Sequence, residues 1–472
     1  MKDLTKGNEA RLIWNFALPM FVGNVFQQLY QIINSIIVGK YIGKEALAAV
    51  GASFPIMFSI VALVIGVGMG GTVVISQYFG IKQFDKVKRA SDTLMVFLVV
   101  AGFIFGLLGI ILSTPILNVM SLPAELMVDA KSYLNINMMG MFALFGYNAV
   151  SSVLRGMGDS KTPLYFLFVS IFVNLGLDFL FVLGFGWGIK GVAWATVIAY
   201  ATSWLLAVWY LNKTHSLSRF SFFKPVFDWQ IFKQSLRIGL PSGIQQTFVG
   251  IGSMALMSVV NGFGVNVIAA YTAASRIDSF VSMPAMNFSA ALSAFVGQNL
   301  VSNHIQRIKN GFRSTLIMSA VICAVLTVVV VFFGDSIMRL FIDPNEKDIE
   351  EVVRIGHEYL VVVCSFYILF STMFVINGLL RGAGATVIPM FTTLFSLWLI
   401  RLPVAYFLSQ QIGEKGIWWS IPIGWGLGMI GAWIYYLTGK WKNKAVVKAP
   451  PKVLKDAELG DPNCSRDYTG RV

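Results

Sequence analysis

The sequence predicts an all-α polytopic membrane protein, with twelve transmembrane helices in two six-helix bundles related by a pseudo-twofold axis along the membrane normal. Three observations carry that prediction. First, 56% of the 472 residues are hydrophobic and only 12% are charged, with a mean hydropathy of +0.71. A soluble chain carries about 25% charged residues, so this one cannot solvate a globular surface. Second, long unbroken apolar runs replace the period-two alternation of a membrane β-barrel, and only helices or closed barrels satisfy backbone groups in hydrocarbon. Third, motifs of the first half recur, in order, in the second.

The leading residues MKDLTKGNEAR are polar and run straight into a long apolar stretch whose length and flanks do not fit a cleaved signal peptide, so the first helix is expected to stay. Six apolar runs follow in the first half, at 12–38, 46–79, 91–112, 131–154, 163–185 and 190–212. Six more, at 240–261, 267–300, 314–334, 355–380, 386–409 and 416–439, make the second. Charged residues or Pro and Gly end each run. The runs 46–79 and 267–300 exceed the ~20 residues a crossing needs, which predicts helices that tilt or project beyond the lipid. The expected organisation is an N-lobe over 1–212, a cytoplasmic linker over 213–239, a C-lobe over 240–440 and a disordered cytoplasmic tail over 441–472.

Charge confirms the count. The net charge is +13, and 26 of the 36 Lys and Arg residues lie in the N-terminus, the even-numbered loops and the tail, against eight in the odd-numbered loops. The positive-inside rule then places both termini in the cytoplasm, and the acidic loop over 335–351 outside. In a soluble protein +13 would suggest nucleic acid; here it reports topology, and no nucleic-acid partner is expected. The Lys-rich tail is a solvated flank that can also meet anionic lipid.

The repeat is explicit. Leu154-Arg155-Gly156-Met157-Gly158 with Pro163 recurs as Leu380-Arg381-Gly382-Ala383-Gly384 with Pro389, at an offset of 226. Leu18-Pro19 recurs as Leu240-Pro241, Gln77 as Gln298, and Lys190-Gly191-Val192-Ala193-Trp194 as Lys415-Gly416-Ile417-Trp418-Trp419. An even number of spans per half makes the repeats parallel, and such a duplication places a cavity between two bundles, which suits alternating access.

Charges inside the membrane are costly enough, at least ~2.5 to 3.5 kcal/mol each on insertion scales, that each needs a reason. Asp178, Arg276, Asp278 and Arg401 are the clear cases. Asp178 shares a helix face with Asn174, four residues earlier, and has no cation among its sequence neighbours. Without one, a buried carboxylate takes up a proton or binds a cation; the alternative is a cap or a distant Lys or Arg. In the first run Met20, Gln27 and Asn34 recur every seven residues with Tyr30 and Gln31 beside them, a polar stripe that faces water or other helices. Pro19 withholds an N–H and can kink that helix. Arg276 and Asp278 are two apart and cannot face each other; Arg401 is the partner expected for Asp278, as a C-lobe polar pair.

Neither cysteine nor histidine makes a recognisable site. Cys323 and Cys364 lie in apolar runs and Cys464 in the tail, while His215, His304 and His357 form no catalytic or metal constellation. No catalytic residue, no enzyme activity and no cofactor are therefore expected.

The motifs GKYIGKEALAAVG, SQYFG, LRGMGDSKTP, NLGLD, GQNL, LRGAGATVIP and WLIRLPVAY, in this order and partly duplicated, resemble the multidrug and toxic compound extrusion (MATE) family, in its bacterial DinF- and NorM-like branch, over about residues 10–440. The resemblance implies a cation-coupled antiporter that expels amphipathic, often cationic or aromatic compounds against inward H+ or Na+, working as a monomer among membrane lipids. It also implies an N-lobe cation site of Asn174 and Asp178 on helix 5 and Thr196 on helix 6. The family's helix 1 Asp falls on Asn34, so an amide stands where the family has a carboxylate. What this leaves is one formal charge, at Asp178, suited to one proton or one monovalent ion, with no further metal expected. Met20, Gln27, Tyr30 and Gln31 would line the substrate cavity and Pro19 would be the hinge. Two other readings are weaker. A lipid-linked precursor flippase would want several cationic side chains in the cavity, and a membrane-embedded enzyme would want a nucleophile and base at membrane depth.

Overall fold

The structure, a computed structural model, describes residues 3–120, 122–214, 220, 226–342 and 348–447. Parts of the expected linker and acidic loop, His215, and the tail from residue 448, including Cys464, lie outside the described residues. Among those described, every regular element is helical: α1 (Glu9–Ile37), α2 (Lys44–Gly80), α3 (Phe84–Val119), α4 (Ala124–Met139), α5 (Met141–Gly156), α6 (Lys161–Phe179), α7 (Gly188–Thr214), α8 (Trp229–Asn261), α9 (Val265–Val301), α10 (Ile305–Arg339), α11 (Ile349–Ser365), α12 (Tyr367–Gly382), α13 (Val387–Leu394), α14 (Leu402–Ile412) and α15 (Glu414–Leu437).

Nine of these segments are long and apolar enough to cross a membrane, and α11 with α12, bent by 49°, makes a tenth. The α4–α5 pair, interrupted at Gly140, and α1 complete the twelve expected runs. Both carry amides: α1 has Gln27, Gln28, Gln31 and Asn34, and α4 has Asn135 and Asn137, which lower their hydropathy. Helices that wall a polar interior give up part of the hydropathy signal that finds a span.

The repeated Leu-Arg-Gly-x-Gly motif has a backbone explanation. Gly158 and Gly384 sit at φ +85° and +89°, where a side chain would be strained. Each follows the last turn of a helix, α5 or α12. Asp159 N–H donates to Leu154 O at 2.8 Å and Ala385 N–H to Leu380 O at 2.8 Å, closing the orphan carbonyls of the helix end. The other glycine of the motif permits close packing: a Cβ on Gly382 would lie 2.3 Å from Ser293 O, and one on Gly156 2.7 Å from the Ile75 side chain.

The chain forms two compact units, and their boundary is not in the loop between the halves. Unit 1 contains Val22–Gly243, and unit 2 contains Leu4–Phe21 with everything from Ile244 on. Two helices therefore contribute to both: α1 changes unit two residues after Pro19, and α8 two residues after Pro241. The repeated Leu-Pro motif marks both places. Proline leaves the carbonyl four residues earlier without its helical partner and allows the axis to turn there. In unit 1 the first part of α8 lies backbone to backbone on α2, where a Cβ on Gly66 would come within 2.2 Å of Gly243 N, and one on Gly70 within 2.3 Å of Ser235 O. In unit 2 the first part of α1 buries Ile13, Phe16 and Ala17 among Phe288, Leu292 and Phe295.

The α2–α8 contact generates a stability prediction. Gly66→Val should destabilise the purified protein by about 1–3 kcal/mol or more by overpacking, whereas a Cβ on Gly51, with nothing within 4 Å, is tolerated. A thermal melt in detergent should show a clear drop for Gly66→Val and none for Gly51→Ala.

Candidate functional site

The candidate site lies inside unit 1, where α1, α6 and α7 each place polar groups. On α6, Asn174 and Asp178 are one turn apart on one face and are 2% and 0% exposed. Thr196 of α7 faces them at 8% exposure. From the second part of α1 come Tyr30 and Asn34, also one turn apart.

A directed chain of hydrogen bonds joins four of the five. Asn34 Nδ2 donates to the Tyr30 hydroxyl at 2.9 Å, and that hydroxyl donates to Asn174 Oδ1 at 2.7 Å. Asn174 Nδ2 then donates to Thr196 Oγ1 at 3.3 Å, which donates to Val192 O at 3.0 Å. The phenol thus uses its O–H and a lone pair to bridge two helices, and each amide has a defined orientation. Asp178 is the exception. Both of its carboxylate oxygens are buried without a hydrogen-bond partner, and no ion pair among the described residues includes it. Tyr30 and Tyr133 are the neighbours that lie within range of its charge.

The backbone around the site is irregular on two sides. Helix α1 ends in a π-helical turn, Val38–Ile42, and α6 in another, Leu180–Gly184. The two turns touch each other and both touch α7. Widened turns of this kind concentrate at functional sites because they release backbone groups from the regular ladder.

Chemically, a buried carboxylate with no protein partner must be neutralised, by a proton or by a cation. The oxygens of Asn174, Thr196, Tyr30 and Asn34 are the hard donors a small cation prefers. The amide of Asn34 fits the phenol's position: its N–H₂ donates to Tyr30, which an ionised carboxylate at that place would not do.

The other expected residues are distributed differently. Gln27 and Gln31 are exposed on the second part of α1. Met20, by contrast, packs against the unit 2 core that contains Phe16, so the seven-residue stripe is divided where the helix changes unit, between Phe21 and Val22. Tyr30, expected on the cavity wall with them, forms the bridge at the centre of the hydrogen-bond chain.

In unit 2 the expected Asp278–Arg401 ion pair is not formed. The Tyr367 hydroxyl donates to the Asp278 carboxylate and contacts its backbone carbonyl. Arg401, at the end of the π-helical turn Phe395–Arg401, acts on Asp278 only at longer range and leaves its Nε without a hydrogen-bond partner. A phenol on α12 satisfies the carboxylate first. Arg276 is exposed on α9. Tyr133 and Tyr367 had no sequence signal, since a single tyrosine in an apolar run carries no spacing that identifies its partner on another helix.

Residues 19–180 and 241–407 match the MatE family model. The chain is similar to the probable multidrug resistance protein YpnP of Bacillus subtilis (strain 168), with 32% identity over 440 residues, which is 93% of this chain and 97% of that protein. Among solved structures, a crystal structure of MATE in the bent conformation matches with TM-score 0.85 at 22% identity, over 96% of this chain and 98% of that one. MATE in the straight conformation matches with TM-score 0.82 at 24% identity, over 94% and 98%.

Removing the bridge isolates its cost. Tyr30→Phe leaves Asn34 and Asn174 without their shared partner and should lower stability by about 1 kcal/mol, with an upper bound near 2 in a membrane bundle. The matched change Tyr165→Phe, at a side chain 62% exposed, should leave the melting temperature unchanged; equal melts for the two variants would remove Tyr30 from the network.

Proposed function

The chain belongs to the MatE family, and from that premise we propose that it is a secondary antiporter exporting amphipathic, often cationic or aromatic compounds in exchange for an inward proton or sodium ion. Members of the family are transporters rather than enzymes, and this chain is a multi-pass protein of the cell membrane. The observation that carries the antiport reading is Asp178: a buried carboxylate without a protein partner, beside a chain of hydrogen bonds that reaches the second part of α1.

Coupling then works through that chain. With Asp178 charged and empty, the site carries one uncompensated negative charge. A proton or monovalent cation removes it, and the oxygens of Asn174, Thr196 and Tyr30 can turn toward the cation at the expense of their present bonds. A turn of Asn174 or Tyr30 breaks the bond that joins α6 to α1, so the ion state of α6 is transmitted to Tyr30 and Asn34. Pro19 is the hinge about which the second part of α1 responds, closing or opening the cavity that Gln27 and Gln31 face. One charge crossing 100 mV supplies ~2.3 kcal/mol, enough for a gradient of about fortyfold. The bent and straight conformations of similar structures support a cycle of alternating access. The distribution of Lys and Arg supports cytoplasmic termini, and aromatic and thioether side chains suit a promiscuous cavity. The transporter works as a monomer.

Uptake of a fluorescent cationic dye into inverted vesicles, driven separately by a pH gradient and by a sodium gradient, identifies the ion. Asp178→Asn should reduce dye transport under the effective gradient by about tenfold or more. Unchanged transport in that variant would overturn the reading.

A further inference from the structure

We propose that Gln298, Asn299 and Arg307 are positioning residues for transport: they clamp the segment before α1 into unit 2, so that a change at the ion site moves the second part of α1 against a fixed first part. The inference rests on the reading of Asp178 as the ion site.

The clamp grips backbone as well as side chain. Leu4 is 1% exposed and packs in the core that contains Ile13, Phe16 and Phe295. Its N–H donates to Gln298 Oε1 at 2.9 Å, and its carbonyl accepts from Asn299 Nδ2 at 3.1 Å and from the Arg307 guanidinium at 3.5 Å. Arg307 Nε also donates to Asn299 Oδ1 at 3.2 Å. The same guanidinium pairs with Glu9, in the first turn of α1, at 3.4 Å and lies 6.0 Å from the Phe295 ring centre. Gln298 and Asn299 are 0% exposed. Two amides buried so completely need partners, and Leu4 supplies backbone groups to both.

The first half fastens its counterpart helix at a comparable place, through other residues. Gln77, the counterpart of Gln298, is likewise 0% exposed at the end of α2. There the lead-in to α8 is held: the Tyr78 hydroxyl donates to Gln234 Oε1 at 3.0 Å, Asp228 N–H donates to Thr93 Oγ1 at 3.0 Å, and Arg89 approaches Asp228 at 3.9 Å. In both repeats the glutamine motif therefore lies where the start of the other repeat's first helix is fastened. The ion site uses neither glutamine.

A clamp of this kind has a mechanical consequence. Leu4–Phe21 is part of unit 2 while Tyr30 and Asn34 belong to unit 1, and Pro19 lies just before the change. A hinge does work only if one arm is held. Releasing Leu4 lets the first part of α1 slide or twist, and rearrangement at Tyr30 is then dissipated there.

The test uses the full chain in proteoliposomes, with ethidium as the transported probe. Gln298→Leu and Arg307→Met remove clamp bonds at similar side-chain size; Arg307→Lys keeps the pair with Glu9; Gln306→Leu, at an exposed neighbour, is the control. Ion-driven efflux should fall at least about fivefold in the first two, while ethidium Kd stays within about twofold and Arg307→Lys recovers most of the rate. A merely structural role would lower efflux and affinity together. Efflux within about twofold of wild type in both variants, or a loss of affinity matching the loss of efflux, would overturn the proposal. Where Gln298→Leu does not assemble, the two Arg307 variants decide. Asp178→Asn measured alongside separates the two ideas: if it is inactive while the clamp variants are normal, only the clamp fails; if it remains active, the ion-site reading fails.

Discussion

A carboxylate enclosed in a helix bundle has to be neutralised by something, and among the described residues no protein group does it for Asp178. The surrounding residues are arranged around that deficit. Asn174, Thr196, Tyr30 and Asn34 satisfy one another in a single direction, from α1 through α6 to α7, and leave the charge out. Had one Lys or Arg entered the pocket, the site would be a closed ion pair whose energy depends on no external ion. On the proposed reading, an open carboxylate makes conformation depend on a cation from solution, as a coupled transporter requires.

The second constraint comes from the chain itself. Each repeat starts with a helix shared between the units, and each of those helices has a Leu-Pro step just before the change of unit. Close glycine contacts between α2 and α8, and an aromatic core around Ile13 and Phe16, fix the first part of each helix. In α1 the second part carries the polar groups of the site. Duplication thus supplies two comparable Leu-Pro steps, but among the described residues the one in α1 leads to a buried carboxylate with no hydrogen-bond partner, so the halves are alike in scaffold and unlike in chemistry. In unit 2 the half-buried Asp278 is met by the Tyr367 phenol.

Much of this was legible because it is periodic or duplicated. Apolar runs mark the spans, and Leu-Arg-Gly-x-Gly was recognisable by repetition before its backbone reason, a positive φ at Gly158 and Gly384, was visible. Asn174 and Asp178 share a face by spacing alone. What spacing cannot express is which group on another helix arrives opposite. Spacing therefore groups Tyr30 with the cavity wall, and it takes the 2.7 Å bond to Asn174 to join it to the polar network as well. The same limit separates Met20 from Gln27, since heptad spacing assumes one uninterrupted helix face, whereas the change of unit between Phe21 and Val22 falls between them. It also paired Asp278 with Arg401, because opposite charge is visible in a sequence and a tyrosine hydroxyl one helix away is not.

The central claim is that Asp178 itself takes the ion, and infrared difference spectroscopy observes that directly. Stepping pH, or adding sodium at constant pH, should produce a carboxyl band change in the wild-type protein that disappears in Asp178→Asn, while bands from the other carboxyl groups remain. An identical difference spectrum in the variant would contradict the account.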